Sequence, residues 1–244
     1  EGKALLAYER EVASRSTRSF FVTEAEAELF KNLAPECDVR VEAMCNGVDA
    51  EYFTPAADRA SPYGSQEIAI VFTGAMDYWP NVDAVTWFAK EVLPLLNQRR
   101  AKLRFYIVGR SPTPEVLALA SEQIVVTGTV PDVRPFIQHA AVIVAPLRIA
   151  RGIQNKILEA MAMERPVIAS TECAAAVDAV FGQELLTASA PNDYVSAIEK
   201  LLENPEDAAK IGLAARQRVQ DRYSWNAHMS GIDRYLPQPS AGSQ

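Results

Sequence analysis

Four residues near the middle of the chain have types and spacing suited to binding a phosphorylated sugar. Gly152, Asn155, Lys156 and Glu159 recur at helical spacing, so a helix through this stretch would place them on one face. A helix begins with free N–H groups and the positive end of its dipole, which attract an anionic phosphate. Glu159, two turns further along, has oxygens that accept hydrogen bonds from sugar hydroxyls. The stretch is therefore a candidate site for a ribosyl diphosphate.

Basic residues flank this stretch and favour the same ligand. Arg148 and Arg151 precede the predicted helix and, together with Lys156, supply positive charge for a diphosphate. The alternative is an exposed ion pair between Lys156 and Glu159, three residues apart, which would stabilise the helix by only about 0.2–0.5 kcal/mol. Spacing alone leaves both the ligand site and the surface ion pair open.

The elements around this stretch predict a parallel sheet. Residues 141–145 and 166–170 are short apolar runs typical of buried strands, and the helix between them ends by Arg165-Pro166 because proline cannot continue it. Similar runs, separated by helical patterns, are predicted as strands at residues 67–74, 103–109, 124–128 and 184–187, with helices at 81–96, 114–120 and 132–138. This alternation implies right-handed crossovers and a Rossmann-like α/β fold, a parallel sheet flanked by helices. In such a sheet the ligand crevice lies at the carboxyl ends of the strands.

Glycines end three of the predicted strands. Gly74, Gly109 and Gly128 each follow an apolar run, and a glycine lets a ligand or another backbone approach closely. Ordinary turn chemistry explains any one of them. Because all three fall at the same edge of a parallel sheet, together they favour a ligand cleft.

The chain divides into segments by composition. Its first part predicts a helix over residues 3–15, a strand at 19–22, a helix opened by a Thr23–Glu26 capping box and a strand at 39–43, the tail of one α/β domain. Residues rich in Pro, Ala, Ser and Gly then predict a linker. The predicted segments are a remnant domain at 1–45, a linker at 46–66, a Rossmann-like domain at 67–223, a closing helix at 224–236 and a disordered tail at 237–244.

Composition limits the function classes. The 244 residues carry a net charge of −7 and include 49% hydrophobic residues, which argues against a general nucleic-acid binder. No apolar run is long enough to cross a membrane. Cys37, Cys45 and Cys173 are an odd number without CxxC spacing and fit reduced thiols, so we expect a cytoplasmic protein without a metal site. His139 ends a predicted helix, where capping or packing is expected rather than catalysis.

Four stretches together resemble a known family. They are residues 45–49, 74–84, 127–134 and 152–162, the last followed by Arg165-Pro166-Val167-Ile168-Ala169-Ser170. They resemble retaining glycosyltransferases of the GT-B fold, in family four, and within it the sugar transferases of bacterial exopolysaccharide gene clusters. The resemblance implies two Rossmann-like domains, with residues 1–45 as the end of the acceptor domain and 67–223 as the donor domain. The chain also lacks an initiator Met, so we expect a fragment of a longer protein.

The resemblance also implies residue roles. Glu159 matches the carboxylate that holds the donor ribose, Thr129 and Val130 match the loop whose backbone reads the base, and Gly74 matches the glycine beneath the phosphates. The family's usual Arg and Lys after the first strand are replaced here, and Arg151 stands where the family often has an acidic residue. The donor-binding residues we expect are therefore Gly74, Arg110, Thr129, Val130, Arg148, Arg151, Gly152, Asn155, Lys156 and Glu159. No catalytic residue, metal or cofactor is implied.

The implied function is transfer of a sugar, of hexosyl type, from a nucleoside-diphosphate sugar to a glycan or lipid-linked acceptor in polysaccharide biosynthesis. We expect the parent protein to be peripheral to the membrane, this chain to be inactive alone, and exposed apolar surface on its truncated domain to favour homo-oligomers. Two alternatives stay open. One is an epimerase or phosphorylase on the same fold, and the other is a non-catalytic interaction module.

Overall fold

A computed structural model describes residues 2–44, 46–98, 100, 102–149, 152–229 and 235, without the side chain of His228. The chain forms two compact units. The smaller contains residues 1–47 and 225–244, and the larger contains Val48–Ser224.

The smaller unit follows the local signals of the first predicted segment. Its elements are α1 (Gly2–Arg15), β1 (Ser19–Phe21), α2 (Glu24–Leu33), a 3-10 helix (Pro35–Arg40) and β2 (Val41–Ala43), with β1 and β2 paired in parallel. The Thr23 side chain accepts a hydrogen bond from the backbone N–H of Glu26, as the capping pattern predicts. The strand predicted over residues 39–43 begins later, because Pro35 starts a 3-10 helix that extends to Arg40.

The larger unit is a six-stranded parallel sheet flanked by helices. Its elements are β3 (Ile68–Thr73), α3 (Trp79–Trp87), a π-helical turn (Phe88–Val92), α4 (Leu93–Asn97), β4 (Leu103–Val108), α5 (Pro114–Leu117), β5 (Ile124–Gly128), α6 (Arg134–Gln138), β6 (Val142–Ala145), α7 (Asn155–Ala162), β7 (Val167–Ser170), α8 (Thr171–Ala174), β8 (Leu186–Ala188), α9 (Pro191–Glu203) and α10 (Pro205–Arg222). The chain then re-enters the smaller unit at α11 (Trp225–Met229).

The strand order places a ligand crevice at one position in the sheet. The order is β5-β4-β3-β6-β7-β8, so the chain first builds outward from β3 and then crosses to its other side with β6. Adjacent loops at the carboxyl ends of β3 and β6 separate at such a reversal, which is where ligands bind in open α/β sheets. The predicted Rossmann-like parallel sheet is confirmed.

Apolar side chains on both faces hold the sheet between its helices. β3, β4, β6 and β7 are almost entirely buried, as expected for central parallel strands. Phe88 lies within the π-helical turn and packs against Phe105 of β4, with ring centroids 4.7 Å apart. The helix predicted without interruption over residues 81–96 has an irregular turn at its centre, just before Pro94, which cannot donate the next helical hydrogen bond.

The segment predicted as a linker packs with the larger unit from Val48 onward. Tyr63 donates a hydrogen bond to the Phe136 carbonyl oxygen, and its ring packs at a tilt against that of Tyr106. Gln138 bonds the backbone N–H and carbonyl of Ala56. The proline- and glycine-rich composition of this segment disfavours helices and strands, and the hydrogen bonds of Tyr63 and Gln138 hold the segment in place instead.

The remaining predictions at the chain end are only partly described. The closing helix predicted over 224–236 begins at Trp225 and is described to Met229, whereas the disordered tail predicted at 237–244 lies outside the described residues. Cys37 and Cys173 are free, buried thiols. His139 follows α6, and its Nε2 lies 2.7 Å from the Arg59 carbonyl oxygen, in keeping with a packing role.

Candidate functional site

A cavity of about 480 Å³ lies at the carboxyl ends of β3, β4 and β5 and reaches the start of α7. This position matches the crevice that the strand order predicts. Its wall is built from four loop regions and the first turns of α3 and α7. The lining residues are Thr73, Gly74, Ala75, Tyr78, Asn81, Val108, Gly109, Arg110, Thr129, Val130, Val133, Gln154, Asn155, Lys156 and Glu159.

The α7 helix presents two charged side chains to this cavity. Ile157, Leu158 and Met161 are fully buried and fix the opposite face of the helix in the core. Lys156 and Glu159, three residues apart, therefore lie on the face that borders the cavity. The exposed surface pair considered from the sequence is wrong, since Lys156 is only 8% exposed.

Lys156 is held by a neutral partner. Its Nζ donates a hydrogen bond of 2.5 Å to Oδ1 of Asn81 and lies 4.2 Å from the ring centroid of Phe72. Burial lowers the pKa of Lys156 to about 8, with Cys173 and Glu159 acting in the opposite direction. The ammonium is thus a desolvated charge, which interacts strongly with an anion in the cavity.

Glu159 is the second charged group on this face. Burial raises the pKa of its carboxyl group, and the positive charge of Lys156 partly opposes that effect. Among the described residues, Glu159 forms no ion pair with Lys156 or with another cation. The carboxylate oxygens therefore remain available to hydroxyl groups of a ligand.

Two glycines allow the loops after β3 and β4 to approach each other. A β-carbon at Gly109 would lie only 1.7 Å from the Gly74 carbonyl oxygen. A β-carbon at Gly74 would lie 2.8 Å from Asn81 Nδ2 and 3.2 Å from Lys156 Nζ. The backbone N–H of Met76 also donates to the Arg110 carbonyl oxygen. Because side chains are absent at both glycines, the backbone forms the cavity floor directly beside the ammonium.

Seven of the ten predicted donor-binding residues meet in this cavity. They are Gly74, Arg110, Thr129, Val130, Asn155, Lys156 and Glu159. Thr129 and Val130 follow β5, whereas Lys156 and Glu159 come from α7, so the fold joins positions far apart in sequence.

Of the other three predicted residues, Arg148 and Gly152 do not line the cavity. Arg148 pairs with Asp83 through two hydrogen bonds, one of them 3.0 Å long, because the loop after β6 lies against α3. Gly152 lies in a turn before α7, with φ of 66°, and it is not among the described lining residues. The regular helix begins at Asn155, so Gly152 does not share a helical face with Lys156 and Glu159. Arg151 lies outside the described residues.

Sequence reasoning missed Asn81 and Tyr78 as lining residues. Asn81 is 5% exposed, and its Nδ2 donates a 2.9 Å hydrogen bond to the Ala75 carbonyl oxygen. The signal for it was a polar residue in a largely apolar helical turn. Its partner is 75 positions away, and only the fold reveals that pairing.

Metal-ligand clusters and membrane-spanning helices are both absent from the described ranges. The side chains in those ranges form no group of three or more His, Cys, Asp or Glu able to hold a metal ion. Each helix in those ranges is also too short or too polar to cross a bilayer.

Known structures share this fold. Anabaena Alr3699/HepE, crystallised with UDP and glucose, aligns with a TM-score of 0.76 at 14% identity over 97% of this chain and 67% of its own. A glycosyltransferase from Rickettsia africae aligns with a TM-score of 0.76 at 16% identity, covering 95% of this chain and 66% of its own. The chain thus spans about two thirds of the length of these structures.

A third similar structure consists of a single domain. It is the C-terminal domain of a glycosyl transferase group 1 family protein (LpcC) from Francisella tularensis, with a TM-score of 0.56 at 18% identity over 73% of this chain and 100% of its own. The parallel sheet flanked by helices is that of the C-terminal domain of GT-B glycosyltransferases.

No curated protein sequence matches the chain. Residues 67–204, more than half of the chain, match the sequence model of the family described as Glycosyl transferases group 1. The match covers the whole cavity wall described above. The chain belongs to the glycosyl transferases group 1 family.

Proposed function

We propose that the larger unit is the donor domain of a glycosyltransferase and binds a nucleoside-diphosphate sugar in the cavity. The observation that carries the proposal is the joint position of Lys156 and Glu159. One buried cation and one carboxylate face the same cavity from a single helix, beside the backbone of Gly74 and opposite Thr129 and Val130.

The proposed ligand fits the wall in three parts. Its diphosphate lies against Lys156, Arg110 and the amide groups near Gly74 and the start of α7, where charge and helix dipole are favourable. Its ribose hydroxyls donate to Glu159. Its base lies against the backbone of Thr129 and Val130.

The same groups support the proposed reaction. As the sugar leaves, negative charge grows on the departing diphosphate, and Lys156, Arg110 and the helix N-terminus stabilise that charge. We propose no metal and no cofactor for this step. Retention at the sugar carbon, a hexose donor and a polysaccharide product rest on the family resemblance, and no described residue is assigned as a nucleophile.

The proposal extends to the parent protein. We propose a glycan or lipid-linked acceptor, bound by a second domain, and a cytoplasmic location at the periphery of the membrane. Exposed apolar side chains on the smaller unit, such as Leu5, Tyr8 and Leu29, support self-association of this chain. The complexes of HepE with UDP and with UDP-glucose support the nucleotide-sugar ligand.

Calorimetric titration of UDP and GDP against the 244-residue chain tests the proposed ligand. We expect saturable binding of at least one nucleotide, weakened by Lys156→Gln and unchanged by the control Lys210→Gln, whose side chain is exposed and pairs with Asp207. Absence of binding to both nucleotides at millimolar concentration would favour a non-catalytic module. Sugar transfer by this chain alone would refute the expectation that it is inactive without its partner domain.

A further inference from the structure

Asn81 connects the cavity floor to the buried ammonium. Its side-chain NH2 donates to the Ala75 carbonyl oxygen at 2.9 Å, and its Oδ1 accepts from Lys156 Nζ at 2.5 Å. Given the proposed diphosphate ligand, we propose that Asn81 is a positioning residue that aims Lys156 at the diphosphate and leaves its charge uncompensated.

The orientation of the Asn81 amide follows from its two partners. A carbonyl oxygen only accepts hydrogen bonds and an ammonium only donates them. If the amide were reversed, its NH2 group would face the Lys156 ammonium and its oxygen would face the Ala75 carbonyl oxygen, and neither hydrogen bond could form. Ala75 lies in the loop that leads from β3 into α3, and Asn81 lies in the first turn of α3. This turn therefore fixes an acceptor that reaches across to α7.

Packing around Lys156 leaves little freedom for its ammonium. Phe72 lies beneath the Nζ, and the Gly74 backbone passes beside it. With Asn81 on one side, the unoccupied direction is toward the cavity that Lys156 lines. An ammonium with one hydrogen bond to a protein oxygen keeps further donors for the ligand.

Asn81 is an uncharged hydrogen-bond partner, and the ionisable groups around Lys156 also leave its charge unpaired. Glu159 lies on the same helix, the buried Cys173 thiol approaches from α8, and Arg110 lines the cavity from the loop after β4. None of these described groups forms an ion pair with Lys156. A carboxylate at position 81 would neutralise the ammonium and repel a diphosphate, whereas an amide fixes the same geometry without either effect.

Two substitutions separate this role from simple packing. Asn81→Asp keeps the shape but adds a negative charge, and Asn81→Ser removes the reaching oxygen and leaves a smaller polar residue. The control Asn204→Asp makes the same charge change at an exposed position between α9 and α10. UDP affinity is measured by calorimetry from pH 7 to 10, where a phosphate with a second pKa of about 6 is almost fully ionised.

The two variants should displace the pH dependence in opposite directions. For the wild type, UDP affinity should begin to fall near pH 8, where Lys156 loses its proton. Asn81→Asp should weaken binding at pH 7 about tenfold or more and shift the fall to higher pH. Asn81→Ser should weaken binding and shift the fall to lower pH, because the ammonium loses its acceptor. Asn204→Asp should match the wild type.

The outcomes distinguish this inference from the proposed function. If the wild type binds UDP and both Asn81 variants bind it with wild-type affinity and pH dependence, the role of Asn81 is refuted while the donor site stands. If the wild type binds neither UDP nor GDP, the donor site is refuted and this inference with it. Thermal melts show whether a variant is folded, and Asn81→Ser carries the test if the aspartate variant is not.

Discussion

Glu159→Gln is the sharpest test of the ribose contact, because it keeps the length of the side chain while it removes the charge and one accepting oxygen. Burial raises the pKa of Glu159 above its unfolded value, so the ionised form is disfavoured in the folded protein. A raised carboxyl pKa lowers stability as the pH rises from the unfolded to the folded value, and the full cost is present above both. At pH values above the folded pKa, glutamine should therefore leave the melting temperature unchanged or higher.

Binding should change in the opposite direction. A hydrogen bond between a hydroxyl and a charged group contributes about 1.5–3 kcal/mol. Loss of one such bond corresponds to a decrease in affinity of about 10- to 150-fold. Glutamine retains one accepting oxygen, so the lower end of this range is expected. Inorganic pyrophosphate has no ribose, and its affinity should be unaffected by the substitution or slightly improved.

The assay compares UDP, pyrophosphate and thermal stability for one set of proteins. The control is Glu115→Gln, at an exposed position in the first turn of α5, which should behave as the wild type in all three measurements. Selective loss of UDP affinity in a protein of equal or greater stability would support the ribose contact. Equal UDP affinity of Glu159→Gln and wild type would refute it, and parallel loss of both ligands would place Glu159 elsewhere in the site.

Four further predictions concern ligand affinity and stability as a function of pH, the glycine contact, and metal dependence. Because only the protonated Lys156 attracts a diphosphate, UDP affinity should fall about tenfold per pH unit above pH 8, and calorimetry should show no such fall for Lys156→Arg, which stays charged. Because the pKa of Lys156 is lower in the folded protein, the unfolded chain binds this proton more tightly, and the free energy of unfolding measured in urea should rise with pH between about 8 and 10.5. A free energy of unfolding that does not change over this pH range would contradict the buried environment of Lys156. Gly109→Ala should destabilise the protein by about 1–3 kcal/mol or more and weaken UDP binding, since its β-carbon would collide with Gly74, whereas Gly2→Ala, with open space around it, should do neither. EDTA should leave UDP affinity unchanged, and a requirement for Mg²⁺ would refute the metal-free proposal.

The sheet was predictable because its signals are local. Buried parallel strands must be apolar on both faces, and runs such as residues 141–145 can satisfy little else. Element boundaries were less certain where two local signals compete. Gly152 falls at helical spacing from Asn155 and Glu159, but its φ of 66° makes it part of the turn before Asn155 and takes it off the helical face. The π-helical turn at Phe88–Val92 does have a local signal: Pro94 follows it and lacks the N–H that an uninterrupted α-helix would need.

The site was only partly predictable because its charges pair over long distances. Lys156 and Glu159 were identified from spacing on a single helix. The Arg148–Asp83 pair joins residues 65 apart and the Asn81–Lys156 pair joins residues 75 apart. Periodicity carries no information about either pair. Both depend on the reversal in strand order between β3 and β6, which brings the loop after β6 and the start of α7 against α3.

The Arg148–Asp83 and Asn81–Lys156 pairs together determine which cation can attract an anion into the cavity. Arg148 is half exposed and its charge is offset by Asp83, so it contributes little to the potential inside. Lys156 is buried and its hydrogen-bond partner is neutral, so no neighbouring charge offsets its attraction for an anion in the cavity. Among the described residues on this side of the cavity, the desolvated ammonium of Lys156, rather than Arg148, therefore supplies most of the fixed positive charge. Arg148→Ala should consequently weaken UDP binding far less than Lys156→Gln. The opposite ranking would show that Arg148 breaks its ion pair with Asp83 and binds the ligand instead.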